Sequence, residues 1–231
     1  MSGSVTLASL ISRARQRADA VNNEFFDDAT DLASFANQSL AELYDILVQA
    51  DEDYFTTNRT LALVPNVSTY SVAAWSPKML KLRGVDIPWA GTTYNLTAAR
   101  LEFGERNDLQ GPVPAYTMGF PSRFYRYGDS LVFAPTPGAS VTATVWYIPA
   151  PPTLAGATTF DCQSGWDEFI VADMVRKMLM KQERDAGAIT QEREALRAHI
   201  IASYRRDFSG PKHVTRRRYR NQMYPYGRRF L

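Results

Sequence analysis

The sequence predicts an α+β protein in which a four-helix bundle carries an inserted small antiparallel β-sandwich or barrel module and ends in an extended basic C-terminal arm. Three observations predict it: helical periodicity before residue 55, period-two alternation in the middle, and helical periodicity again after residue 160. The 231-residue chain is 45% apolar and 22% charged, enough to bury a core. We expect the bundle at 1–55 and 161–208, the β module at 56–160 and the arm at 209–231.

Two amphipathic helices are predicted at the N-terminus. In the first, apolar residues recur every three or four positions from Leu7 to Val21, with Ser4 or Thr6 as a suitable N-cap. The second begins near residue 30 and ends around residues 49–53, where acidic and aromatic residues interrupt its pattern. Its apolar stripe comprises Leu32, Ala36, Leu40, Leu43 and Leu47.

The middle of the chain has the composition of short strands, rich in Val, Leu, Thr and Tyr and interrupted by prolines. Alternation is clearest from Val141 to Ile148, and turn residues at 128–129 and 135–138 separate neighbouring strands. A short helix is predicted around residues 98–105. The predicted strands are residues 59–64, 69–72, 80–86, 124–127, 131–134 and 141–148.

Two further helices follow the β module. Residues 164–167 fit a capping box, and the helix after them is apolar around most of its circumference, which is typical of a buried helix. The last helix has one apolar face from Leu196 to Phe208 and stops at Gly210-Pro211. Because neither helix pair has an adequate apolar face alone, we expect all four to pack together.

Several functional classes are disfavoured by composition. The single cysteine, Cys162, excludes a disulfide framework, and two histidines, His199 and His213, are too few for a histidine-rich metal site. The chain shows no apolar run near the ~20 residues that span a bilayer, and no signal peptide. With no phosphate-binding glycine loop either, we expect no cofactor, no metal and no enzyme.

One acidic cluster leaves two interpretations open. Asp51, Glu52 and Asp53 stand at the predicted end of the second helix, where they suit either a divalent cation or a solvated helix end. By contrast, Gly128, Asp129 and Ser130 between two predicted strands favour a turn over a nucleophile.

Aromatic residues of the predicted sheet also permit two interpretations. Trp146, Tyr147 and the run at 124–127 could stack on single-stranded nucleic acid or could fill the sheet core. Strand alternation favours the core, because cross-strand aromatic pairs are common there.

Charge is strongly polarised along the chain. Residues 1–53 hold three basic and ten acidic residues, a net charge of −7, whereas residues 209–231 hold seven basic residues and no acid. The arm interleaves arginines with aromatic rings and fits either an acidic protein surface or a phosphate backbone. We expect such a segment to order when a partner covers it. Its candidate docking residues are Lys212, Arg216, Arg217, Arg218, Tyr219, Arg220, Tyr224, Tyr226, Arg228, Arg229 and Phe230.

The arrangement resembles the head-to-tail adaptor (connector) proteins of tailed bacteriophages, including the tail tubular A type. The helix–β–helix order extends this similarity over about 200 residues. The segments that carry it are residues 111–114, residues 124–131 with Gly128, residues 135–137, Tyr147, Pro149, Pro151, Pro152, and Trp166 with Asp167 at the start of a buried helix.

The resemblance implies a noncatalytic virion protein at the head–tail junction, present in the host cytoplasm during assembly. It implies a ring, usually a dodecamer, that lies beneath the portal, joins the capsid vertex to the tail, and docks on the portal with residues 212–231. The implied partners are the portal, a nozzle or tail-tube protein, and other copies of the chain, with DNA passing through the channel without sequence-specific recognition and no membrane. The chemistry of the arm leaves one alternative, a nucleic-acid-binding accessory protein.

Overall fold

The computed structural model describes residues 2–21, 25–88, 95–105, 120–163 and 165–207. These residues form a mixed α+β structure with four α-helices and several antiparallel sheets. The helices are α1 (Leu7–Arg17), α2 (Ala33–Ala50), α3 (Asp167–Lys181) and α4 (Gly187–Asp207). A π-helical turn, Asp28–Leu32, leads into α2. None of the helices in the described residues is long and apolar enough to cross a membrane.

Thr6, one of the two residues predicted as the N-cap, caps the first helix. Its hydroxyl oxygen accepts a 3.3 Å hydrogen bond from the Ser9 backbone N–H and satisfies a donor that the first helical turn leaves free. The predicted extension of the apolar stripe to Val21 is wrong, because α1 ends at Arg17 and Asp19 adopts a positive φ of 51° that turns the chain. Val21 is consequently 58% exposed.

The predicted apolar stripe of α2 is confirmed, since all five of its residues are buried. The prediction of a buried α3 is also confirmed, with Phe169, Ile170, Met174 and Met178 inaccessible to solvent. α3 lies at the centre of the helices and contacts α1, α2 and α4. Together the buried apolar residues of the four helices form one hydrophobic cluster.

The described residues contain ten strands, which lie in three sheets. One four-stranded sheet has the order β2-β9-β4-β5, the other has the order β3-β8-β7-β6, and β1 pairs with β10. Neighbouring strands are antiparallel except β6 and β7, which are parallel. The strands are β1 (Ser2–Thr6), β2 (Thr57–Leu63), β3 (Thr69–Ser71), β4 (Met79–Pro88), β5 (Asn95–Thr97), β6 (Ala99–Arg100), β7 (Arg123–Tyr127), β8 (Ser130–Ala134), β9 (Val141–Pro149) and β10 (Thr159–Gln163).

The two four-stranded sheets share one apolar core. In β9 the alternate residues Ala143, Val145 and Tyr147 are buried, as their period-two spacing predicts, and β8 contributes Leu131 and Phe133. This cluster is separate from the helical one, which also includes Val5 of β1, Ile148 of β9 and Phe160 of β10.

The predicted short helix around residues 98–105 is wrong over most of its length. Ala98 donates its backbone N–H to the Val85 carbonyl at 2.8 Å and Ala99 donates to the Ser122 carbonyl at 2.9 Å, so these groups bond to other strands. Only Phe103–Glu105 forms a single 3-10 turn. The pairing of β1 with β10 was not predicted, because five residues carry little local signal and their partner lies more than 150 residues away.

The start of α3 bears on the capping box predicted at residues 164–167. Ser164 lies outside the described residues, and Asp167 is the first residue of α3. The Asp167 carboxylate accepts the backbone N–H of Gly165 at 3.2 Å. At the other predicted turn, Gly128 adopts a positive φ of 55° between β7 and β8, a conformation that glycine tolerates without strain.

Candidate functional site

The predicted docking arm lies outside the described residues. This applies to every arm residue named from the sequence: Lys212, Arg216, Arg217, Arg218, Tyr219, Arg220, Tyr224, Tyr226, Arg228, Arg229 and Phe230. Residues 111–114 and His213 also lie outside them. The site is therefore built from the surfaces and charge clusters of the described chain.

The acidic cluster after α2 is engaged in ion pairs. Glu52 pairs with Lys81 and Arg83 of β4, and Asp53 pairs with Arg83 at 2.7 Å. The carboxylate of Asp51 accepts the backbone N–H of Asp53 at 2.7 Å. Across the described ranges, no three histidine, cysteine or acidic side chains are grouped to hold a metal ion. The acids therefore tie the end of α2 to the sheet, which favours a structural role for them.

Two of the five aromatic residues considered for stacking lie in the sheet core. Phe124 and Tyr147 are each 3% exposed, as the alternation predicts. Trp146 is half-buried, and its indole N–H donates to Asp86 at 2.7 Å. Tyr127, by contrast, is 65% exposed. Buried rings cannot stack on bases, so this arrangement does not support an extended nucleic-acid platform.

The residues considered for catalysis are not assembled into a catalytic group. His199 is exposed on α4, whereas Asp129 lies in the tight turn between β7 and β8 and faces Arg126 at 3.6 Å. A nucleophile and its base must lie within hydrogen-bonding reach of each other. Among the described residues, neither His199 nor Asp129 lies within hydrogen-bonding reach of such a partner.

The most strongly buried charge is Asp173 of α3. Its side chain is fully shielded from solvent and accepts a 2.7 Å hydrogen bond from the Ser39 hydroxyl of α2. Lys177, one turn further along α3, contacts the same carboxylate oxygen at 2.7 Å and also donates to the Ser39 oxygen at 3.0 Å. A buried carboxylate needs such partners, because burial without them would strongly favour its neutral form.

Two arginines complete the shell around the other Asp173 oxygen. Arg176 donates to it at 2.9 Å and Arg193 of α4 donates at 2.7 Å. The Arg193 guanidinium also pairs with Glu42 of α2 and lies 5.0 Å from the centre of the Phe169 ring. One carboxylate thus joins α2, α3 and α4 through charged hydrogen bonds, which are stronger than neutral ones.

This arrangement lowers the pKa of Asp173. Burial by itself raises that pKa, but hydrogen bonds from Lys177 and Ser39 and the positive charge of Lys177 outweigh it, and Arg176 adds a further hydrogen bond. The resulting pKa is about 2, below the ordinary value of 3.8. Asp173 therefore remains ionised at neutral pH and acts as a fixed anchor between helices.

A second contact joins the helices to the β module. The Tyr44 hydroxyl of α2 donates a 2.7 Å hydrogen bond to the Pro149 carbonyl at the end of β9, and the Tyr44 ring stacks on Phe55 at 4.2 Å. Burial raises the pKa of Tyr44 to about 12, with a smaller contribution from the charge of Asp45. The phenol therefore keeps its proton and its role as a donor at neutral pH.

Arg15 organises the connection between α1 and α2. Its guanidinium donates to the carbonyls of Ala20 at 2.9 Å and Phe26 at 2.7 Å, and to the Asp28 carboxylate at 2.8 Å. The same connection exposes Phe25 (56%), although neighbouring Phe26 is buried. An internal arginine therefore shapes a surface that carries exposed apolar and acidic side chains.

Sequence reasoning missed Asp173 and Arg15 as organising residues. The signal for Asp173 was one acid within the otherwise apolar run of residues 169–175, which calls for a charged partner elsewhere in the fold. Arg15 carried no comparable signal, because charged residues are expected on the exposed face of an amphipathic helix.

The family comparison covers nearly the entire chain. Residues 5–223 match the family model described as SU10 adaptor protein. A search of the curated proteins finds no match. The matched range includes all four helices, and it runs through the β module into the first half of the predicted arm.

Proposed function

The chain belongs to the SU10 adaptor protein family and is a phage head-to-tail adaptor, and from this premise we propose that it forms a ring beneath the portal and docks on the portal with its C-terminal arm. The match over residues 5–223 is the observation that carries the proposal. The role is noncatalytic: the protein joins portal and tail components of the virion. A dodecamer is the ring size proposed, with DNA passing through the central channel.

The arm chemistry supports portal docking. Residues 209–231 carry seven basic side chains and no acid, and four aromatic rings are spaced among them. Arginine forms bidentate pairs with carboxylates, and aromatic residues gain most when a partner covers them. We therefore assign portal contact to residues 212–231, with Arg216, Arg217 and Arg218 as the densest charge.

We further propose a division of labour between the parts. The four helices, three of which are joined by the Asp173 network, act as one bundle that supplies the contacts between neighbouring subunits, because a closed ring needs a rigid heterologous interface. The two sheets form a sandwich inserted between the bundle halves and face the tail. In this scheme residues 1–55 and 161–208 form the bundle, residues 56–160 form the inserted module and residues 209–231 form the arm.

The proposal is tested by measuring portal binding by a variant that lacks the arm. A variant lacking residues 212–231 is mixed with purified portal and analysed by cosedimentation and negative-stain imaging. We expect the full chain to add a ring at the portal and the deletion variant to stay unbound while its unfolding midpoint is unchanged. A triple Arg216→Gln, Arg217→Gln, Arg218→Gln variant is expected to bind portal at least about tenfold more weakly.

One control variant and two possible outcomes separate this function from the alternative. Arg184→Gln removes an exposed positive charge between α3 and α4 and is expected to leave portal binding unchanged. Normal ring addition by the arm-deletion variant would refute the arm assignment. Steeply salt-dependent DNA binding, lost in the triple variant without any loss of portal binding, would instead support the nucleic-acid-binding accessory function.

A further inference from the structure

Two strand edges with incomplete pairing face each other in the β module. Residues 79–86 of β4 pair with β9 on one side, but on the other side β5 pairs only with residues 86–88. In β7, residues 123–127 pair with β8, whereas β6 pairs only with Arg123 and Phe124. Among the described strands, residues 80–84 of β4 thus have a strand partner on one side alone.

The space between these edges is a groove of about 300 Å³. Arg126 spans it, since its guanidinium donates to the Leu80 carbonyl of the β4 edge at 3.2 Å. Because the Leu80 carbonyl accepts this hydrogen bond from a side chain, it does not bond to a described strand on that side. The remaining lining comes from residues 80–84 of β4, from Thr97, Ala98 and Arg100, and from Phe124 of β7.

The groove is positively charged. Lys81, Arg83, Arg100 and Arg126 line it, and none of the described residues that line it is acidic. Lys81 and Arg83 pair with the acids that follow α2, and Arg126 faces Asp129 at 3.6 Å. Within the part of the chain that the structure describes, Arg100 has no carboxylate partner. An anionic side chain beside Arg100 would therefore gain a charged hydrogen bond that the described residues of the chain do not supply.

Two further features of the β4 edge fit an added strand. Leu80 is 44% exposed at the groove and offers an apolar contact. Gly84 lacks a positive φ, and a Cβ built on it meets nothing within 4 Å. The described residues therefore leave room for a side chain at this position. The pairing of β4 with β9 shifts register between Leu82 and Gly84, and glycine inside a strand often marks either such an irregularity or a place where another backbone approaches closely.

We propose that this groove binds an extended acidic peptide segment of a neighbouring protein in the assembly, which adds as a strand along residues 80–84 of β4. Main-chain hydrogen bonds to the edge provide affinity, and acidic side chains of the peptide pair with Arg100 and Arg126. Apolar side chains on the opposite face of the added strand cover Leu80 and the groove floor. A groove of this size fits single side chains of a strand and not the width of a nucleic-acid duplex.

Fluorescence anisotropy with the full-length protein tests the proposal. The probe is a fluorescein-labelled nonapeptide of alternating Glu and Val, and the matched peptide alternates Lys and Val. We expect saturable binding of the Glu peptide and none of the Lys peptide. A Glu–Val peptide with alternate backbone nitrogens methylated is expected to bind at least about tenfold more weakly, because it cannot donate those hydrogen bonds to the edge.

Two variants locate the binding site. Arg100→Gln is expected to weaken binding of the Glu peptide about fivefold. The control Arg184→Gln removes an equal charge elsewhere and is expected to leave the affinity within about twofold of that of the native protein. Gly84→Val places a β-branched side chain where the subunit has open space, so the unfolding midpoint is retained while peptide binding falls at least about tenfold.

The outcomes discriminate between the possible occupants. Equal binding of the methylated and unmethylated peptides, or full affinity in Gly84→Val, would overturn strand addition. Binding of an eight-residue oligothymidylate that depends on Arg100 and exceeds that of the peptide would assign the groove to nucleic acid. Peptide binding that appears only after deletion of residues 106–119 would assign it to that segment of the chain. Ring formation and portal binding, measured on the same variants, report on the proposed function separately.

Discussion

The Ser39 hydroxyl donates a 2.7 Å hydrogen bond to the Asp173 carboxylate, and both side chains are completely buried where α2 packs against α3. The two residues are 134 positions apart and lie on opposite sides of the β module in sequence. Together with Lys177, they connect α2 to α3. One buried charge contact therefore joins two helices that the strands separate in sequence.

Replacing Asp173 is expected to be strongly destabilising. Asp173→Asn removes the negative charge that balances Lys177 and two arginines, and buried cations that lose their partner are costly. The free energy of unfolding in urea is expected to fall by about 3 to 4 kcal/mol. Asp45→Asn, at an exposed position of α2, is the control and is expected to change it by less than about 0.5 kcal/mol. A loss as small as that of the control would contradict the anchoring role.

The same carboxylate predicts how stability depends on pH. Its pKa in the folded protein is about 2, below the ordinary 3.8, so its contribution is fully present above pH 3.8 and is lost as pH falls through 2. The shift corresponds to about 2 kcal/mol. Urea unfolding from pH 2 to 7 is expected to show that the stability difference between the native chain and Asp173→Asn is constant above pH 5. This stability difference is then expected to decrease as the pH approaches 2. A difference that does not change with pH would contradict the lowered pKa of Asp173.

Arg15 is predicted to stabilise the connection between α1 and α2. Arg15→Gln removes donors to two backbone carbonyls and to Asp28, and we expect a loss of about 2 kcal/mol in the free energy of unfolding. Hydrogen exchange at Ala20 and Phe26 is expected to accelerate more than exchange in α3, because the contacts removed are local. The exposed Arg184→Gln is the matched control, and uniform acceleration over all four helices would argue against a local role.

The junction between helices and β module is predicted to depend on the Tyr44 hydroxyl. Tyr44→Phe keeps the ring that stacks on Phe55 but leaves the Pro149 carbonyl without this donor, at a cost of about 1 kcal/mol. Tyr127→Phe, at a 65% exposed position, is the comparison and is expected to cost less than about 0.5 kcal/mol. Equal urea midpoints for the two variants would show that the hydroxyl does not hold the junction.

Local apolar patterns predicted most of the secondary structure. The stripe from Leu32 to Leu47 is buried in α2 as expected, and the alternating residues of β9 are buried in the sheet core. The same reasoning failed at residues 98–100, whose backbone groups bond to distant strands, and at β1, whose partner is β10. Pairing between remote segments depends on register and on tertiary contacts that a local window does not contain.

The amino-acid sequence by itself determined the element order, the two kinds of periodicity, the polarity of charge and the family to which the chain belongs, because these properties reside in the chain locally or in its order. Only the tertiary structure decided which acid is buried, which arginine supports a loop, and how far one side of β4 is paired among the described strands. Burial, pKa and strand pairing arise when segments distant in sequence exclude water from one another, and residue type alone does not specify which segments meet.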